Sequence, residues 1–403
     1  MKTLLQINSV VNSGSTGRIA EEIGQTAIAA GWESYIAYGR NERPSSSKLI
    51  KIGNNNDIKL HGLKTRLFDR HGLGSRSATD EFIKQIEVIK PDIIHLHNLH
   101  GYYINIEVLF HYLKKVNVPV VWTFHDCWPI TGHCSYFTFV GCEKWKTQCY
   151  ECPQKTKYPA SYFIDSSRKN YILKKELFTS LSNLTLVSVS QWLSGILNES
   201  FLQKYPIKVI NNGINTEVFK PSSSNTFRVK YGFEDKFILL GVASIWDERK
   251  GLKDYIELSK LLGRDFQIVL VGLTKKQIEQ LPDNILGIER TESVEMLAEI
   301  YSSANIVLNL SYEETFGLTT VEGFACGTPG IVYNATASPE LIDVSTGIVV
   351  EQGNINKLTE AIYSIKKKGK EYYSEACVNR AHKLYKKEDR YKEYIQLYNE
   401  LIS

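Results

Sequence analysis

The alternation of short apolar runs with helical segments constrains the fold of this 403-residue chain more than any other sequence feature. The first half contains five predicted strands, residues 2–7, 34–38, 93–96, 118–124 and 184–189, of which the last three are short apolar runs rich in β-branched residues. Such continuous apolar runs are typical of strands buried on both faces, and segments with helical periodicity lie between them. This rhythm predicts a parallel sheet covered by helices, in the α/β class.

The second half of the chain repeats the rhythm. Its predicted strands and helices, in chain order, are residues 237–243, 252–262, 267–271, 294–303, 306–310, 319–326 and 330–332. Because a single core rarely serves a chain of this length, we expect two Rossmann-like domains, residues 1–205 and 206–385. A last helix, residues 386–403, carries an apolar face that must dock on another part of the molecule.

Composition and charge narrow the function classes. Hydrophobic residues make up 43% and charged residues 23% of the chain, no membrane-spanning run is present, and the first apolar stretch is too short for a signal peptide, so we expect a cytoplasmic protein. The formal charge is +7 over residues 1–205 and −3 over residues 206–403. The basic half indicates either a lysine-rich surface or contact with phosphates or an anionic membrane face. No basic run has interleaved aromatic residues, so nucleic acid is not an expected partner.

The most informative motif runs from Ser311 to Pro329 and places Glu314 and Glu322 on either side of seven residues. Between them a loop turns into a helix, and backbone amides at a helix start favour a diphosphate. Glu322, one turn into the helix, is placed to accept hydrogen bonds from ribose hydroxyls, while Glu314 precedes the turn. The alternative is an exposed acid before an ordinary helix cap.

Two further loops follow predicted strands. Arg249 and Lys250 stand in the loop after the strand 237–243, where adjacent cations can neutralise a diphosphate or form a solvated charge cluster. The loop after the first strand contains Gly14 and Gly17, and its form suits a phosphate or a sugar. It lacks a complete G-x-G-x-x-G, so this third motif is weak by itself.

These segments, in this order, resemble glycosyltransferase family 4, a retaining family of GT-B fold, and within it the enzymes of colanic acid, capsule and exopolysaccharide synthesis. Glu314 to Glu322 matches the family's E-x7-E element, and the segments 91–103 and 122–133 resemble that subgroup. The resemblance covers nearly the whole chain. It implies two Rossmann-like domains facing across a cleft, acceptor-binding at 1–205 and nucleotide-sugar-binding at 206–385, with the terminal helix packed on the first. One departure is Ile245, where the family usually has Arg.

The resemblance also implies roles for single residues. The residues implied at the donor site are Gly14, Gly17, His125, Arg249, Lys250, Glu314, Phe316, Gly317, Leu318, Thr319 and Glu322. Among these, Glu322 would hold the ribose, Glu314 the transferred sugar, and Arg249 with Lys250 the diphosphate. Catalysis would involve Glu314, His125, Arg249 and Lys250. The implied reaction is hexosyl transfer with retention from a UDP- or GDP-sugar, with no catalytic metal because fixed cations neutralise the leaving group.

The sequence leaves three alternative functions to compare with glycosyl transfer. A nicotinamide dehydrogenase would need a complete glycine fingerprint and an acid about twenty residues later, and neither is convincing. A sugar-nucleotide epimerase would share the fold, and a non-catalytic nucleotide-sugar-binding protein would bind the donor without turnover.

The acceptor side is expected to involve His100, Tyr102 and Tyr103, which follow the strand 93–96. His95 and His97 share one face of a strand. They are expected to be hydrogen-bonded side chains, and the alternative is that both bind a zinc ion. Residues 59–76 form a basic loop with Arg70 and Arg76 that either grips the diphosphate of a lipid-linked glycan acceptor or is merely solvated. The first alternative implies peripheral contact with the inner face of the cytoplasmic membrane.

Four cysteines lie within nineteen residues: Cys134, Cys142, Cys149 and Cys152. The last pair has the C-x-x-C spacing of a metal knuckle. The sequence is compatible with one structural Zn²⁺ or with free thiols in a packed loop. Four thiolates would leave no open coordination position, so such a zinc would be structural.

Overall fold

The computed structural model describes residues 1–403 and divides into two units, Met1–Asn211 with Glu388–Ser403, and Asn212–Lys387. The boundary predicted at residue 205 falls too early. Residues 207–209 pair with residues 186–188 and so form the last strand of the first sheet.

The first unit contains a seven-stranded sheet in which every strand pairing is parallel. Its strands are β1 (Thr3–Ile7), β2 (Glu33–Tyr38), β3 (Lys48–Lys51), β4 (Ile93–Leu96), β5 (Val120–Phe124), β6 (Leu184–Ser188) and β7 (Ile207–Val209). Their order across the sheet is β3-β2-β1-β4-β5-β6-β7. The helices are α1 (Gly14–Ala29), α2 (Asn55–Phe68), α3 (Arg76–Ile89), α4 (Ile106–Lys115), α5 (Ser167–Phe178) and α6 (Gln191–Glu199).

The second unit has a six-stranded parallel sheet in the order β10-β9-β8-β11-β12-β13. Its strands are β8 (Phe237–Val242), β9 (Phe266–Val271), β10 (Ile285–Ile288), β11 (Ile306–Asn309), β12 (Gly330–Tyr333) and β13 (Gly347–Val350). Its helices are α7 (Thr226–Tyr231), α8 (Leu252–Leu261), α9 (Lys275–Ile278), α10 (Val294–Ser303), α11 (Leu318–Ala325), α12 (Ile355–Lys368) and α13 (Glu371–Tyr385). The predicted α/β class with two parallel-sheet, Rossmann-like domains is confirmed.

The central strands show why the chain folds this way. Every residue of β1, β4, β5, β6, β11 and β12 is buried, as the continuous apolar runs predict for strands covered on both faces.

No helix of the structure is both long enough and apolar enough to cross a bilayer.

The terminal helix α14 (Lys387–Ile402) completes the core of the first unit. Its buried residues Tyr391, Tyr394, Ile395, Leu397 and Tyr398 join one cluster with side chains of β1, α1, β4, β5 and β6. Leu401 and Ile402 pack partly buried against that cluster. The apolar face that the sequence predicts for the last helix is therefore the face that packs against the core of the first unit.

Two predicted loops are partly helical. α1 begins at Gly14, so the Gly14–Gly17 stretch forms the first turn of a helix. Residues 59–68 belong to α2, which begins with a capping box in which the side chain of Asn54 and that of Asp57 accept each other's backbone N–H. The expectation of a loop over 59–76 was therefore wrong for its first ten residues.

Candidate functional site

The strand order locates a crevice in each unit. In open parallel sheets, ligands bind at the carboxyl ends of the strands where the strand order reverses. In the second sheet this point lies between β8 and β11, and in the first between β1 and β4. The loops that follow these four strands contain most of the residues singled out by the sequence.

Lys250 and Glu314 meet at the reversal point of the second sheet. The Lys250 ammonium hydrogen-bonds the Glu314 carboxylate, and the side chains are 17% and 16% exposed. Ser311 donates a second hydrogen bond to Glu314 over 3.0 Å, and the backbone N–H of Glu314 donates to Thr336 over 2.8 Å. Burial raises the pKa of the Glu314 carboxyl, but the charges of Lys250 and Arg249 outweigh burial and hold the pKa below its ordinary value.

Arg249 fixes the loop that carries Lys250. Its guanidinium donates to the carbonyl of Glu313 over 2.9 Å and lies 3.8 Å from the Asp247 carboxylate. The next residue, Gly251, has φ +72°, and a Cβ there would lie 2.2 Å from the carbonyl oxygen of Leu310. Glycine is needed at this position because the loop runs directly against the end of β11.

The start of α11 offers free backbone donors. Gly317 precedes the helix with φ +100°, and no side chain caps the N-terminus. The amides of Leu318 and Thr319 therefore have no acceptor within the helix and favour an anion, whereas that of Thr320 donates to the Gly317 carbonyl. Phe316 is buried and packs edge-on against Tyr385, so its contribution to the loop is through packing and backbone.

Glu322 lies one turn into α11 and is 7% exposed. Tyr301 of α10 donates its hydroxyl to the Glu322 carboxylate over 2.8 Å. This hydrogen bond orients the carboxylate at the start of α11.

The corresponding loop of the first unit follows β1. The N–H of Asn12 donates to the carbonyl of Gly17 over 3.1 Å, and a Cβ at Gly17 would lie 3.0 Å from a methyl of Val10. Gly14 has φ +62° with open space on its Cβ side. Gly17 thus serves the tight turn, whereas Gly14 leaves room for an incoming group.

His125, just after β5, belongs to a chain of hydrogen bonds. Its Nε2 lies 3.1 Å from Nδ1 of His97, whose Nε2 lies 3.0 Å from the Gln6 side-chain oxygen. Burial lowers the pKa of His125 to about 4, so its ring is neutral at pH 7. His95 is hydrogen-bonded through both nitrogens, to Thr123 and Tyr398, as expected for a hydrogen-bonded histidine.

His100 occupies a second polar cluster. Its Nε2 lies 2.6 Å from the Asp126 carboxylate and its Nδ1 2.9 Å from the Tyr158 hydroxyl. Tyr102 is half-buried, with φ +68°, and its ring is edge-on to that of Tyr158. Tyr103 was expected to line the acceptor site, but it is buried and donates to the carbonyl of Asn98. Tyr103 is therefore a core residue.

The predicted basic stretch ends in two exposed arginines. Arg70 follows α2, and Arg76 begins α3. The one acid of this stretch, Asp69, is fully buried and paired with His133, and it also accepts the backbone N–H of Ser166. Asp69 therefore ties the basic stretch to the segment between β5 and α5.

The four clustered cysteines line one cavity, and no cysteine of the chain is disulfide-bonded. A hydrogen bond between Cys134 and Cys152 raises the pKa of Cys134 and lowers that of Cys152 to about 7. Burial raises the pKa of Cys149 to about 11.

Sequence reasoning missed the partners that orient the predicted residues. Tyr301, Thr336, Asp126 and Tyr158 each hydrogen-bond one of them from another element. Only Asp126, beside His125, carried a local signal. The other three come into contact through tertiary folding, which no sequence spacing reveals.

Two family models match the chain. Residues 16–218 match the model described as "Glycosyltransferase Family 4", and residues 236–367 match "Glycosyl transferases group 1". The first match alone covers half of the chain.

Similar proteins and structures agree with these matches. The chain is 29% identical to the "Putative colanic acid biosynthesis glycosyl transferase WcaC" of Escherichia coli over 53% of the chain, and it spans about half (54%) of that relative's length. It is 26% identical to the "Uncharacterized 41.2 kDa protein in cps region" of Klebsiella pneumoniae, over 84% of the chain and 88% of that protein. Sucrose-phosphate synthase from Thermosynechococcus elongatus shares the fold, with a TM-score of 0.74 at 17% identity over 100% of this chain and 99% of that one. Anabaena Alr3699/HepE in complex with UDP-glucose superposes with a TM-score of 0.71 at 13% identity over 99% and 100% of the two chains.

Proposed function

This chain belongs to glycosyltransferase family 4, and from that premise we propose that it transfers a sugar from a nucleoside diphosphate sugar to a glycan acceptor with retention of configuration. The observation that carries the proposal is the convergence of the Lys250–Glu314 pair with the uncapped start of α11 at the reversal point of the second sheet. Cations, free amides and a carboxylate are the groups that a diphosphate and a sugar hydroxyl require.

The donor is oriented by three contacts in this proposal. The ribose hydroxyls donate to Glu322, whose carboxylate Tyr301 already orients. The diphosphate lies on the first-turn amides of α11 and on Lys250, while Arg249 holds the loop and adds positive charge. The hydroxyls of the transferred sugar donate to Glu314, which remains ionised because its pKa lies below its ordinary value.

The proposed reaction is a front-face displacement. The bond between the anomeric carbon and the diphosphate oxygen breaks first, and positive charge develops on the sugar ring. Lys250, Arg249 and the amides of α11 stabilise the departing diphosphate, a contribution of about 3–4 kcal/mol in comparable sites. The acceptor hydroxyl forms the new bond on the same face, and its proton passes to a phosphate oxygen of the leaving group. Fixed cations do the work of a metal, so activity is expected to persist in EDTA.

The proposed acceptor is a glycan carried on a lipid diphosphate, as in surface polysaccharide synthesis at the inner face of the cytoplasmic membrane. The excess positive charge of residues 1–205 and the exposed Arg70 and Arg76 support this choice. The proposed acceptor side also includes His100 and the half-buried Tyr102. Activity that is undiminished on soluble glycans and independent of lipid would contradict the lipid-linked acceptor while leaving the donor proposal intact.

The first test is a thermal-shift screen against UDP, GDP, ADP, CMP and NAD⁺, with and without EDTA. One nucleoside diphosphate is expected to raise the melting temperature saturably, since a ligand at about 100 times its Kd stabilises by about 2.7 kcal/mol. Arg249→Ala and Glu322→Ala should each abolish most of the shift. Lys253→Ala is the matched control, because the Lys253 side chain is 81% exposed in the same region.

If only NAD⁺ raises the melting temperature, or if none of the nucleotides does, the proposal is overturned. Once the donor base is known, NMR of the product made from the matching nucleotide sugar reports the anomeric configuration. Inversion at the anomeric carbon would contradict the retaining mechanism.

A further inference from the structure

The connection between β5 and α5, residues 125–166, lacks the usual means of stabilising a long segment. It forms three short 3₁₀ turns, Trp128–Ile130, Thr138–Val140 and Lys144–Lys146, but no α-helix or strand. Connections longer than about 12–15 residues without secondary structure are uncommon in compact domains. Another source of stability is therefore expected within this segment.

All four clustered cysteines lie in this connection and line one cavity of about 10 Å³. A volume of that size holds a single particle no larger than a water molecule. The three remaining cysteines of the chain, Cys127, Cys326 and Cys377, are buried and do not line the cavity.

The backbone brings these cysteines together by tight turns. Gly141 and Glu151, with φ of +62° and +43°, directly precede Cys142 and Cys152. A Cβ at Gly132 would lie 2.9 Å from Cβ of Cys149, so the backbone two residues before Cys134 runs directly against Cys149. Residues far apart in the connection thus converge on one point although no disulfide joins them.

We propose that Cys134, Cys142, Cys149 and Cys152 bind one structural Zn²⁺ at this cavity. Zn²⁺ takes four thiolates tetrahedrally at about 2.3 Å, and it fits a cavity of atomic size. With the side chains as they stand, no three His, Cys, Asp or Glu residues form a group that holds a metal ion. Binding therefore turns the sulfurs inward and releases the thiol protons to solvent, and four ligands leave no position open for catalysis.

The zinc holds together a segment that contacts the proposed acceptor side of the first unit through residues before and after the cysteines. Asp126 and Tyr158, on either side of the cysteines, both hydrogen-bond His100. Further along, the N–H of Tyr162 donates to the carbonyl of Arg66 in α2 over 2.9 Å. Holding the four cysteines together fixes these contacts, so the metal positions the connection against His100 and α2.

The test begins with the full-length protein purified from zinc-supplemented cells. Elemental mass spectrometry is expected to find about one zinc per chain, and replacement by Co²⁺ should give the absorption bands of tetrahedral thiolate coordination. Cys149→Ser and Cys152→Ser should each lose most of the zinc. Cys127→Ser is the matched control, since this cysteine lies in the same connection outside the cavity and its loss should leave the zinc content unchanged.

The wild-type protein is measured first, so that loss of folding in a variant cannot be mistaken for loss of zinc binding. No zinc in the wild-type chain together with four reactive thiols, or a disulfide between any two of the cysteines, overturns the proposal. With zinc bound, chelation should increase hydrogen exchange in residues 126–166 relative to the second unit, whereas uniform exchange would contradict the clamping role. None of these measurements depends on the donor or acceptor.

Discussion

At the scale of single residues, Lys250 and Glu314 hydrogen-bond each other, although each is proposed to contact a different part of the donor. The two side chains form an ion pair, and Lys250 is proposed to bind the diphosphate and Glu314 the transferred sugar. Binding of a complete donor must therefore exchange this ion pair for two contacts with ligand. The two residues should consequently differ in their response to UDP and to a UDP-sugar, taking UDP as the donor nucleotide.

Substitutions can separate the two roles. Lys250→Met should weaken UDP binding by about tenfold or more, because a charge-assisted hydrogen bond contributes about 1.5–3 kcal/mol. Glu314→Gln should leave UDP affinity within about threefold, since UDP has no sugar to contact it, while lowering kcat/KM by about 100-fold. Calorimetric titration with UDP and steady-state kinetics measure these effects, with Lys253→Met as the control. Equal losses of UDP affinity in both variants would contradict the assignment.

Sequence reasoning identified residue types at the site better than their partners. Glu314, Glu322 and Lys250 could be singled out because they lie at fixed distances within loops that follow strands. The hydrogen bond from Tyr301 to Glu322 joins α10 to α11 and has no signature in either segment. Tyr103 was misassigned because its place after a strand resembles that of a ligand-contacting residue, although the tight approach of Gly39 buries its ring.

At the scale of elements, α14 is the part of the first unit most remote in sequence from the sheet that it covers. The Tyr398 hydroxyl is 2.6 Å from Nδ1 of His95, and the Thr123 hydroxyl donates to the Tyr394 hydroxyl over 3.2 Å. The Tyr394 ring also stacks on His95 with centroids 5.3 Å apart. These contacts are fully buried, so each polar group depends on its partner.

Tyr398→Phe should lower the free energy of unfolding of the first unit by about 1–3 kcal/mol, because it leaves a buried ring nitrogen of His95 without a partner. Tyr372→Phe, at a ring 63% exposed in α13, should change stability by less than about 0.5 kcal/mol. Urea denaturation followed by tryptophan fluorescence measures both. If the two variants are equally stable, the hydrogen bond does not hold the helix in place.

The sequence predicted the bounds of one strand and one helix closely. The strand at 93–96 and the helix at 294–303 match β4 and α10 residue for residue. The edge strands β3 and β7 went unrecognised, because each is short and carries charged residues on its exposed side. α2 was mistaken for a loop since its glycine and many cations weaken the apolar pattern, although the Asn54–Asp57 capping box marks its start.

At the scale of the whole molecule, the histidines are distributed unequally between the units. Eight of the nine lie in the first unit, and His382 is the only one in the second. Burial lowers the pKa of His61 and His125 to about 4, and that of His71, His95 and His97 well below the ordinary value of 6.5. His133 opposes this trend: burial lowers its pKa, but the hydrogen bond to Asp69 raises it overall.

This distribution predicts that acid destabilises the first unit selectively. A histidine whose pKa is lowered by folding takes up its proton more readily in the unfolded chain, so stability falls as pH drops below 6.5 and continues to fall down to about 4. Each such histidine contributes about 1.4 kcal/mol per pH unit in that window. Carboxyls with lowered pKa values in the second unit, such as Glu314, begin to lose their stabilising contribution only as the pH approaches their ordinary pKa of 4.5, so the upper part of this window belongs to the histidines.

Hydrogen exchange measured at pH 7.5 and pH 5.5, corrected for the intrinsic exchange rate, tests the prediction within one sample. Peptides from β1, β4 and α14, which surround His95 and His97, should lose protection at the lower pH, while those from β8 and β11 should change little. His97→Gln should reduce the loss in the first unit, because it removes one buried group that must stay neutral and keeps an amide to hydrogen-bond Gln6. An equal loss of protection in both units would show that the buried histidines do not govern the acid response.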